Sequence, residues 1–207
     1  MEELQVALVS DNQEKFMTYK ELMKRHKSAM KQEFYFEAMF IVYAMMEDRL
    51  TTYLYYIGCI KDRNTFCFDN PKVSDILKKL AKKYLDKKEK RLSVNTISGK
   101  RNIIRATLLW AENGFEDCEG DYLEVLRKVY QKKTDPTLFM EMLTQAENWC
   151  EYRNELVHGM MNKNISSLYE TLHTKADEGL EIVRYFDKTV QKLKYKNEIR
   201  TSLGLTD

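Results

Sequence analysis

Apolar residues recur every three to four positions along most of this chain, which is the spacing of one face of an α-helix. The clearest case is the stretch 31–57, which is apolar on nearly every side and is followed by Gly58. A helix of that kind is usually buried on all faces, so we expect it at the centre of the fold. Glycine suits position 58 because the backbone often turns left-handed just after a helix.

The same spacing predicts further helices on both sides of the central one. Asn70 before Pro71 and Asp135 before Pro136 each place a capping side chain ahead of a proline that suits the first helical position. The segment 167–170, Ser-Leu-Tyr-Glu, has the form of a capping box. The predicted helices span residues 12–27, 31–57, 71–85, 96–113, 121–133, 136–162 and 168–198.

No segment alternates polar and apolar residues in the way a half-buried strand does. We therefore predict an all-α protein, an antiparallel bundle of about five to seven helices, because long helices with short connections favour that arrangement. The composition agrees, since 207 residues include only seven glycines and two prolines. This length suits one domain, which we place at 1–207, with its core at about 30–198 and a basic helix–loop segment at 71–105.

The four cysteines show no metal-binding pattern. Cys59, Cys67, Cys118 and Cys150 form no C-x-x-C pair, and no histidine lies at zinc-finger spacing from them, so we expect reduced thiols and no metal or other cofactor. The start of the chain is too acidic for a signal peptide. No run approaches the about 20 apolar residues of a membrane span. We therefore expect a cytoplasmic protein that does not enter a membrane.

The net charge of +2 is unevenly distributed. Residues 78–105 contain eleven Lys and Arg and two acids, a local charge of +9 that leaves −7 for the rest of the chain. Such a window is typical of a protein that binds a polyanion, and we expect it to attract an RNA backbone. The alternative is a solvated face that keeps the protein soluble. The expected RNA-binding residues are Lys79, Lys82, Lys83, Lys87, Lys88, Arg91, Lys100 and Arg101.

Polar residues interrupt the apolar stripes of two predicted helices. Near the end of the sixth helix the stripe passes through Arg153, and Asn154 and His158 share a face because residues four apart differ by only about 40°. In the central helix, Glu47 and Asp48 break the pattern in the same way. Buried charges need partners. One interpretation is therefore a buried ion pair between Arg153 and one of the two acids, holding two helices in register.

The same cluster is also suited to phosphate chemistry. The imidazole of His158 can exchange a proton near neutral pH. The guanidinium of Arg153 can neutralise a phosphorane. The amide of Asn154 can orient either the histidine or a substrate. The sequence therefore offers a catalytic interpretation beside the structural one.

The sequence RNELVH, residues 153–158, resembles the R-x4-6-H motif of HEPN domains in its common R-N-x-x-x-H form. The central helix, in which an acidic pair precedes Arg49, resembles the early helix of uncharacterised HEPN-type proteins. The resemblance covers about 30–198. It implies an all-α and often dimeric fold, in which two copies of the motif meet across the interface in one composite active site.

The resemblance also implies an activity. Many HEPN domains are metal-independent endoribonucleases of toxin or antiviral-defence systems, in which the RNA 2′-hydroxyl attacks the adjacent phosphate to leave a 2′,3′-cyclic phosphate. By this resemblance Arg153 would stabilise the phosphorane, His158 would handle a proton and Asn154 would orient the site. Glu47 and Asp48 would support them by positioning the arginine. The implied partners are RNA, a second copy of the chain, and an antitoxin or regulatory protein.

Two other interpretations follow from the same residues. Some HEPN domains are catalytically inactive modules that bind a partner protein or nucleic acid, and this is the alternative function. An unrelated helical bundle held by a buried ion pair is the third. Some family members also carry a tyrosine shortly after the histidine. Here Gly159, Met160 and Met161 follow instead, so a mechanism that uses this tyrosine is not expected.

Overall fold

The computed structural model describes residues 12–61, 71–86, 92–116, 120–159 and 165–205. These residues form eight helices and no β-strand, which confirms the predicted all-α bundle. None of the described helices is both long and apolar enough to cross a membrane. The helices are α1 (Asn12–Lys31), α2 (Tyr35–Tyr56), α3 (Pro71–Tyr84), α4 (Ile97–Glu112), α5 (Asp121–Lys133), α6 (Pro136–Gly159), α7 (Ile165–Lys194) and α8 (Glu198–Ser202).

Helix α2 lies at the centre of the bundle, as its apolar sequence predicts. It packs against α1, α4 and α7, while α4 also packs on α3 and α6. Leu50 and Leu54 of α2 are fully buried in the core, and each such side chain contributes about 1.5–3 kcal/mol. The hydroxyl of Tyr53 donates to that of Tyr130 at 2.8 Å, which in turn lies 2.7 Å from the Thr107 hydroxyl. This buried chain of hydroxyls joins α2 to α5 and α4 without leaving a polar group unpaired.

The turn between α1 and α2 falls later than predicted. The sequence predicts that the first helix ends at 27 and that the second begins at 31, whereas α1 continues to Lys31 and α2 begins at Tyr35. The chain turns at Glu33, whose φ of 60° is left-handed, and the Phe34 N–H donates to the carbonyl of Ala29 at 2.8 Å. Residues 31–34 contain neither glycine nor proline, so no strong turn signal marks this break.

The segment predicted as one helix over 168–198 forms two helices. Helix α7 begins at Ile165, two residues before Ser167, so the predicted capping box does not open it. It ends at Lys194, and Lys196 (φ 70°) and Asn197 (φ 43°) turn the chain into α8. Two consecutive left-handed residues interrupt a helix whatever its apolar pattern.

Helix α8 packs against the C-terminal end of α2 through Arg200, which is 2% exposed. Its guanidinium donates to the backbone carbonyls of Tyr55 (3.3 Å), Ile60 (3.2 Å) and Lys61 (3.3 Å). It also lies 3.8 Å from the centre of the Tyr55 ring. The last carbonyls of a helix have no partner within the helix, and here an arginine far along the chain supplies one.

Gly58 lies in the left-handed conformation predicted for it, with φ at 76°. A Cβ at this position would lie 2.6 Å from the Cδ1 of Leu203. The left-handed turn after α2 therefore requires glycine, whereas the Leu203 side chain could move aside for a Cβ.

Two of the predicted helix starts agree with the structure. The carboxylate of Asp135 accepts the Leu138 N–H at 3.0 Å, as an N-cap does. Helix α3 begins at Pro71, while its expected cap Asn70 lies outside the described residues. The structure describes α6 as far as Gly159, so its predicted extension to 162 also lies outside the described part.

Candidate active site at the end of helix α6

Arg153 lies half-buried on α6 against the first half of α2. Its guanidinium carbon is 4.5 Å from the centre of the Tyr43 ring and 5.2 Å from that of Phe40. A cation over an aromatic ring contributes about 0.5–1 kcal/mol when exposed and about 2 kcal/mol when desolvated. Aromatic faces of α2 therefore hold this arginine in place. The apolar pattern of the sequence does not mark these two rings as its neighbours.

The hydrogen bonding of Arg153 is incomplete. Its Nη1 donates to the Oδ1 of Asn154 at 3.0 Å, whereas its Nε is buried and has no hydrogen-bond partner. The Nε atoms of Arg101, Arg127 and Arg200 are buried without a partner as well, so this feature alone does not mark an anion site. Arg153 differs from Arg101, which pairs with Glu147, in forming no ion pair with an acid of the described residues. Since a guanidinium carries five N–H donors, Arg153 retains donors for an anion.

Asn154 and His158 are exposed and lie one turn apart on the same side of α6. Leu156 is 1% exposed and holds this turn against the core, while Val157 is 44% exposed. Arg153 and His158 are separated by about 140° around the helix, so α6 does not by itself point both side chains at one place. The three motif residues therefore lie at the surface of one helix without converging on one point.

The predicted ion pair between Arg153 and Glu47 or Asp48 is wrong. Glu47 accepts from the Nζ of Lys100 on α4 at 2.9 Å. Asp48 pairs instead with Lys15 of α1 at 2.5 Å and with its neighbour Arg49. The physical reason is that consecutive helical residues point about 100° apart, so the two acids reach different neighbouring helices. Neither acid touches the arginine that they were expected to position.

The Asp48 carboxylate is strongly held in its charged form. Burial alone would raise its pKa, but the adjacent charges of Arg49 and Lys15 and their hydrogen bonds outweigh this, and the pKa is lowered from its ordinary value. The Nη1 of Arg49 also donates to Asp187 of α7 at 2.8 Å. Asp48 and Arg49 therefore join α1, α2 and α7.

A second charged cluster lies beneath the motif, between α4 and α6. Glu147 accepts from Arg101 at 3.0 Å and from Arg105 at 2.8 Å. Burial, then Glu47 and the Cys150 thiol, raise the pKa of Tyr43, although Arg153 and Arg101 oppose the shift. The Tyr43 hydroxyl therefore stays protonated at neutral pH and is able to donate a hydrogen bond beside the site.

The described part of the basic window divides into an exposed group on α3 and a buried group on α4, and the buried group differs from the prediction. Lys79, Lys82 and Lys83 are exposed on α3, and Lys83 lies 3.2 Å from Glu116. Lys100 and Arg101 are buried in the ion pairs described above, at 0% and 5% exposure, so they do not belong to the exposed RNA-binding surface expected of them. Lys87, Lys88 and Arg91 lie outside the described residues.

The described cysteines are buried thiols. Cys59 and Cys150 are both free, and burial raises the pKa of Cys150 to about 11, which keeps it protonated. Cys67 and Cys118 lie outside the described residues. Within the described ranges, no group of three histidine, cysteine, aspartate or glutamate side chains is arranged to hold a metal ion.

Comparisons with protein-family models, with curated proteins and with solved structures give no match for this chain. Its function is therefore inferred from the side chains themselves. The relevant geometry is an arginine with an unpaired donor, an amide bound to it, and an exposed histidine one turn away from the amide.

Proposed function

We propose that this protein is a metal-independent endoribonuclease of the HEPN type. The observation that carries the proposal is the state of Arg153, which is anchored on two aromatic rings yet forms no ion pair with an acid of the described residues. An arginine held in this way is prepared to bind an oxyanion. Asn154 and His158 are exposed on α6 and share a face with one another.

The residue roles follow from these positions. RNA would bind with a phosphate against Arg153, whose charge would stabilise the phosphorane formed when the adjacent 2′-hydroxyl attacks. His158 would move a proton between solvent and the reacting oxygen atoms, for which its exposure suits it. The products would be a 2′,3′-cyclic phosphate and a 5′-hydroxyl. Glu47 would support the site indirectly, through Lys100 and the position of α2.

A homodimer would complete the site. One α6 holds its arginine and histidine about 140° apart, so a second copy is the simplest source of the missing group. Phe40 and Val157 are 60% and 44% exposed, and both lie on the elements that carry or contact the motif. A partner subunit packed on this face would bury them. The exposed lysines of α3 would add attraction for the RNA backbone.

The cellular setting that suits such an enzyme is the cytoplasm, as a toxin or an antiviral-defence nuclease. Uncontrolled cleavage of RNA is harmful to its own cell, so an antitoxin or regulatory protein would belong to the same system.

Cleavage of end-labelled single-stranded RNA in EDTA tests the activity. Arg153→Ala is expected to lower the rate by about a hundredfold or more, the effect of losing a group that stabilises developing charge. His158→Ala is expected to have an effect of about the same size. His173→Ala and Arg184→Ala are matched controls, because both side chains are exposed on α7, and their rates should equal that of wild type. A substrate with one 2′-deoxy nucleotide should not be cut at that position.

Analytical ultracentrifugation tests the dimer. Val157→Asp should yield monomers and abolish cleavage, whereas Leu138→Asp should change neither. Leu138 is a fair control because it is 43% exposed near the other end of α6. A wild-type protein that is active as a monomer would refute the composite site.

The alternative is an inactive HEPN-type module that binds a partner protein or nucleic acid. The exposed Phe40 and Val157 favour it, since apolar side chains around a charged centre are typical of binding surfaces. Wild-type protein that cuts none of a varied set of RNAs, but still dimerises or retains RNA on a filter, would support this function over the enzyme.

A further inference from the structure

A cavity of about 170 Å³ lies between α1, α2 and α7. It is separate from the motif, because the α2 residues that line it point away from the side that holds Arg153. Thr52 of α2 lies on the opposite side of the helix from Tyr43, because a step of nine positions turns it by about 180°. The lining residues are Lys15, Phe16, Tyr19, Arg49, Thr52, Tyr56, Asp187, Val190, Gln191 and Lys194.

Aromatic rings form much of this cavity. Tyr19 and Tyr56 belong to its wall, and Phe16 is 65% exposed at its edge. The Arg49 guanidinium lies 4.6 Å from the centre of the Tyr19 ring. A cavity of about 150 Å³ admits a benzene ring. This one therefore has the size and the walls to hold one six-membered aromatic ring, stacked between side chains.

The cavity has a small excess of positive charge. Its lining includes three cationic side chains, Lys15, Arg49 and Lys194, and one anionic side chain, Asp187. Asp48 pairs with both Lys15 and Arg49, so these three cations and two acids leave a balance of +1. Arg49 is 7% exposed and fixed by Asp48 and Asp187, so its position is set before any ligand arrives. Lys194 is exposed at the end of α7. Positive charge beside an aromatic pocket favours a ligand that carries an anionic group on or near a ring.

We propose that this cavity binds a pyrimidine nucleotide, with the base stacked on Phe16 and Tyr19 and the phosphate beside Lys194. The hydroxyl of Thr52 and the amide of Gln191 offer hydrogen bonds to the edge of the base. The nucleotide is either a free mononucleotide or the end of an RNA strand, since both present the same ring and phosphate. The proposal does not depend on the ribonuclease activity, because the cavity shares no side chain with the motif.

Isothermal titration of the full chain with uridine monophosphate tests the proposal. Phe16→Ala and Lys194→Gln should each weaken binding by about tenfold, the value of a base–aromatic stack or of a single phosphate contact. Phe34→Ala and Lys192→Gln are the matched controls and should bind as wild type does. Phe34 is 56% exposed, Lys192 is exposed on α7, and neither lines the cavity. The exposed positions allow each variant to fold.

Other ligands separate the parts of the proposal. Uridine and inorganic phosphate should each bind more weakly than the nucleotide, because each lacks one half of the recognition. A short oligouridylate with a 3′-phosphate that binds more tightly than the mononucleotide would identify an RNA end as the source, and weaker binding would identify the free nucleotide. His158→Ala should leave all these affinities unchanged, which distinguishes this site from the proposed active site.

Three results would overturn the inference. The first is the absence of saturable binding by wild type for every nucleotide tested. The second is equal affinity of the two cavity variants and their controls. The third is equal affinity for uridine and its monophosphate, which would remove the anionic half of the site.

Discussion

Replacing Arg200 with methionine should lower the free energy of unfolding by about 3–5 kcal/mol. Methionine keeps most of the buried aliphatic volume but removes the guanidinium. Three hydrogen bonds to backbone carbonyls are then lost, each worth about 1 kcal/mol. The contact with the Tyr55 ring adds about 1–2 kcal/mol because it is desolvated. The total is a large share of the about 5–15 kcal/mol by which a domain is stable.

Urea denaturation followed by circular dichroism at a helix wavelength measures this change. The melting temperature should also fall, by about 2–4 °C for each kcal/mol lost in a chain of this size. Arg200→Lys should recover only part of the loss, since a single ammonium group does not span three carbonyls. Arg184→Met is the control. That arginine is exposed and, among the described residues, its ion pair is with Glu181, so the free energy of unfolding should change by less than about 1 kcal/mol.

A loss below about 1 kcal/mol in Arg200→Met would refute the reasoning, because the value of one ordinary hydrogen bond would then exceed that of the whole cluster. An equal loss in Arg184→Met would also refute it, by showing that any arginine at the end of the chain has the same effect.

Three further predictions concern other parts of the chain. Gly179→Ala should destabilise the protein, because the new Cβ would lie 2.6 Å from Val42 Cγ1 and 2.7 Å from the Trp149 indole nitrogen. Chemical denaturation measures this change, and an unchanged midpoint would contradict the close contact. Burial lowers the pKa of His26 from 6.5, while Asp177 opposes this shift and Arg184 adds to it. The unfolded chain therefore binds the proton more tightly, and the free energy of unfolding should fall as the pH drops below 6.5. The fall should be smaller in His26→Gln, and parallel curves of stability against pH for the two proteins would argue against this reasoning. Tyr43→Leu should reduce RNA cleavage more than Tyr43→Phe, since the phenylalanine ring still supports Arg153. Initial rates with saturating RNA test this, and equal rates for the two variants would show that the ring does not position the arginine.

The periodicity of apolar residues was sufficient to predict most of the helices, because the spacing within each segment marks the buried side of that helix. Helix α5 has the predicted bounds, and α2 occupies the predicted centre. The breaks at Glu33 and at Lys196–Asn197 could not be predicted in this way. Both are left-handed turns. Glu33 and Lys196 have no strong turn preference, whereas Asn197 favours this conformation and is a signal that could have marked the second break.

The partners of charged residues were harder to predict than the helices. Glu47 pairs with Lys100, which lies 53 residues away along the chain, and no local sequence pattern connects the two residues. One signal was present for Lys100 itself: it lies four positions before Ile104 and eight before Leu108, and both are fully buried. Residues at that spacing share a face, so Lys100 could have been assigned to the core of α4 rather than to an RNA-binding surface.

The contact between Arg200 and the end of α2 also constrains how the chain folds. The hydrogen bond to Ile60 closes a loop of 140 residues, and the entropic cost of closing a loop rises with its length. During synthesis α1 and α2 emerge together and can pair early, but the carbonyls at the end of α2 remain without their arginine until α8 has been made. The end of α2 therefore forms its native contacts last. A ribosome-bound chain that stops before residue 198 should form a bundle whose central helix frays at that end.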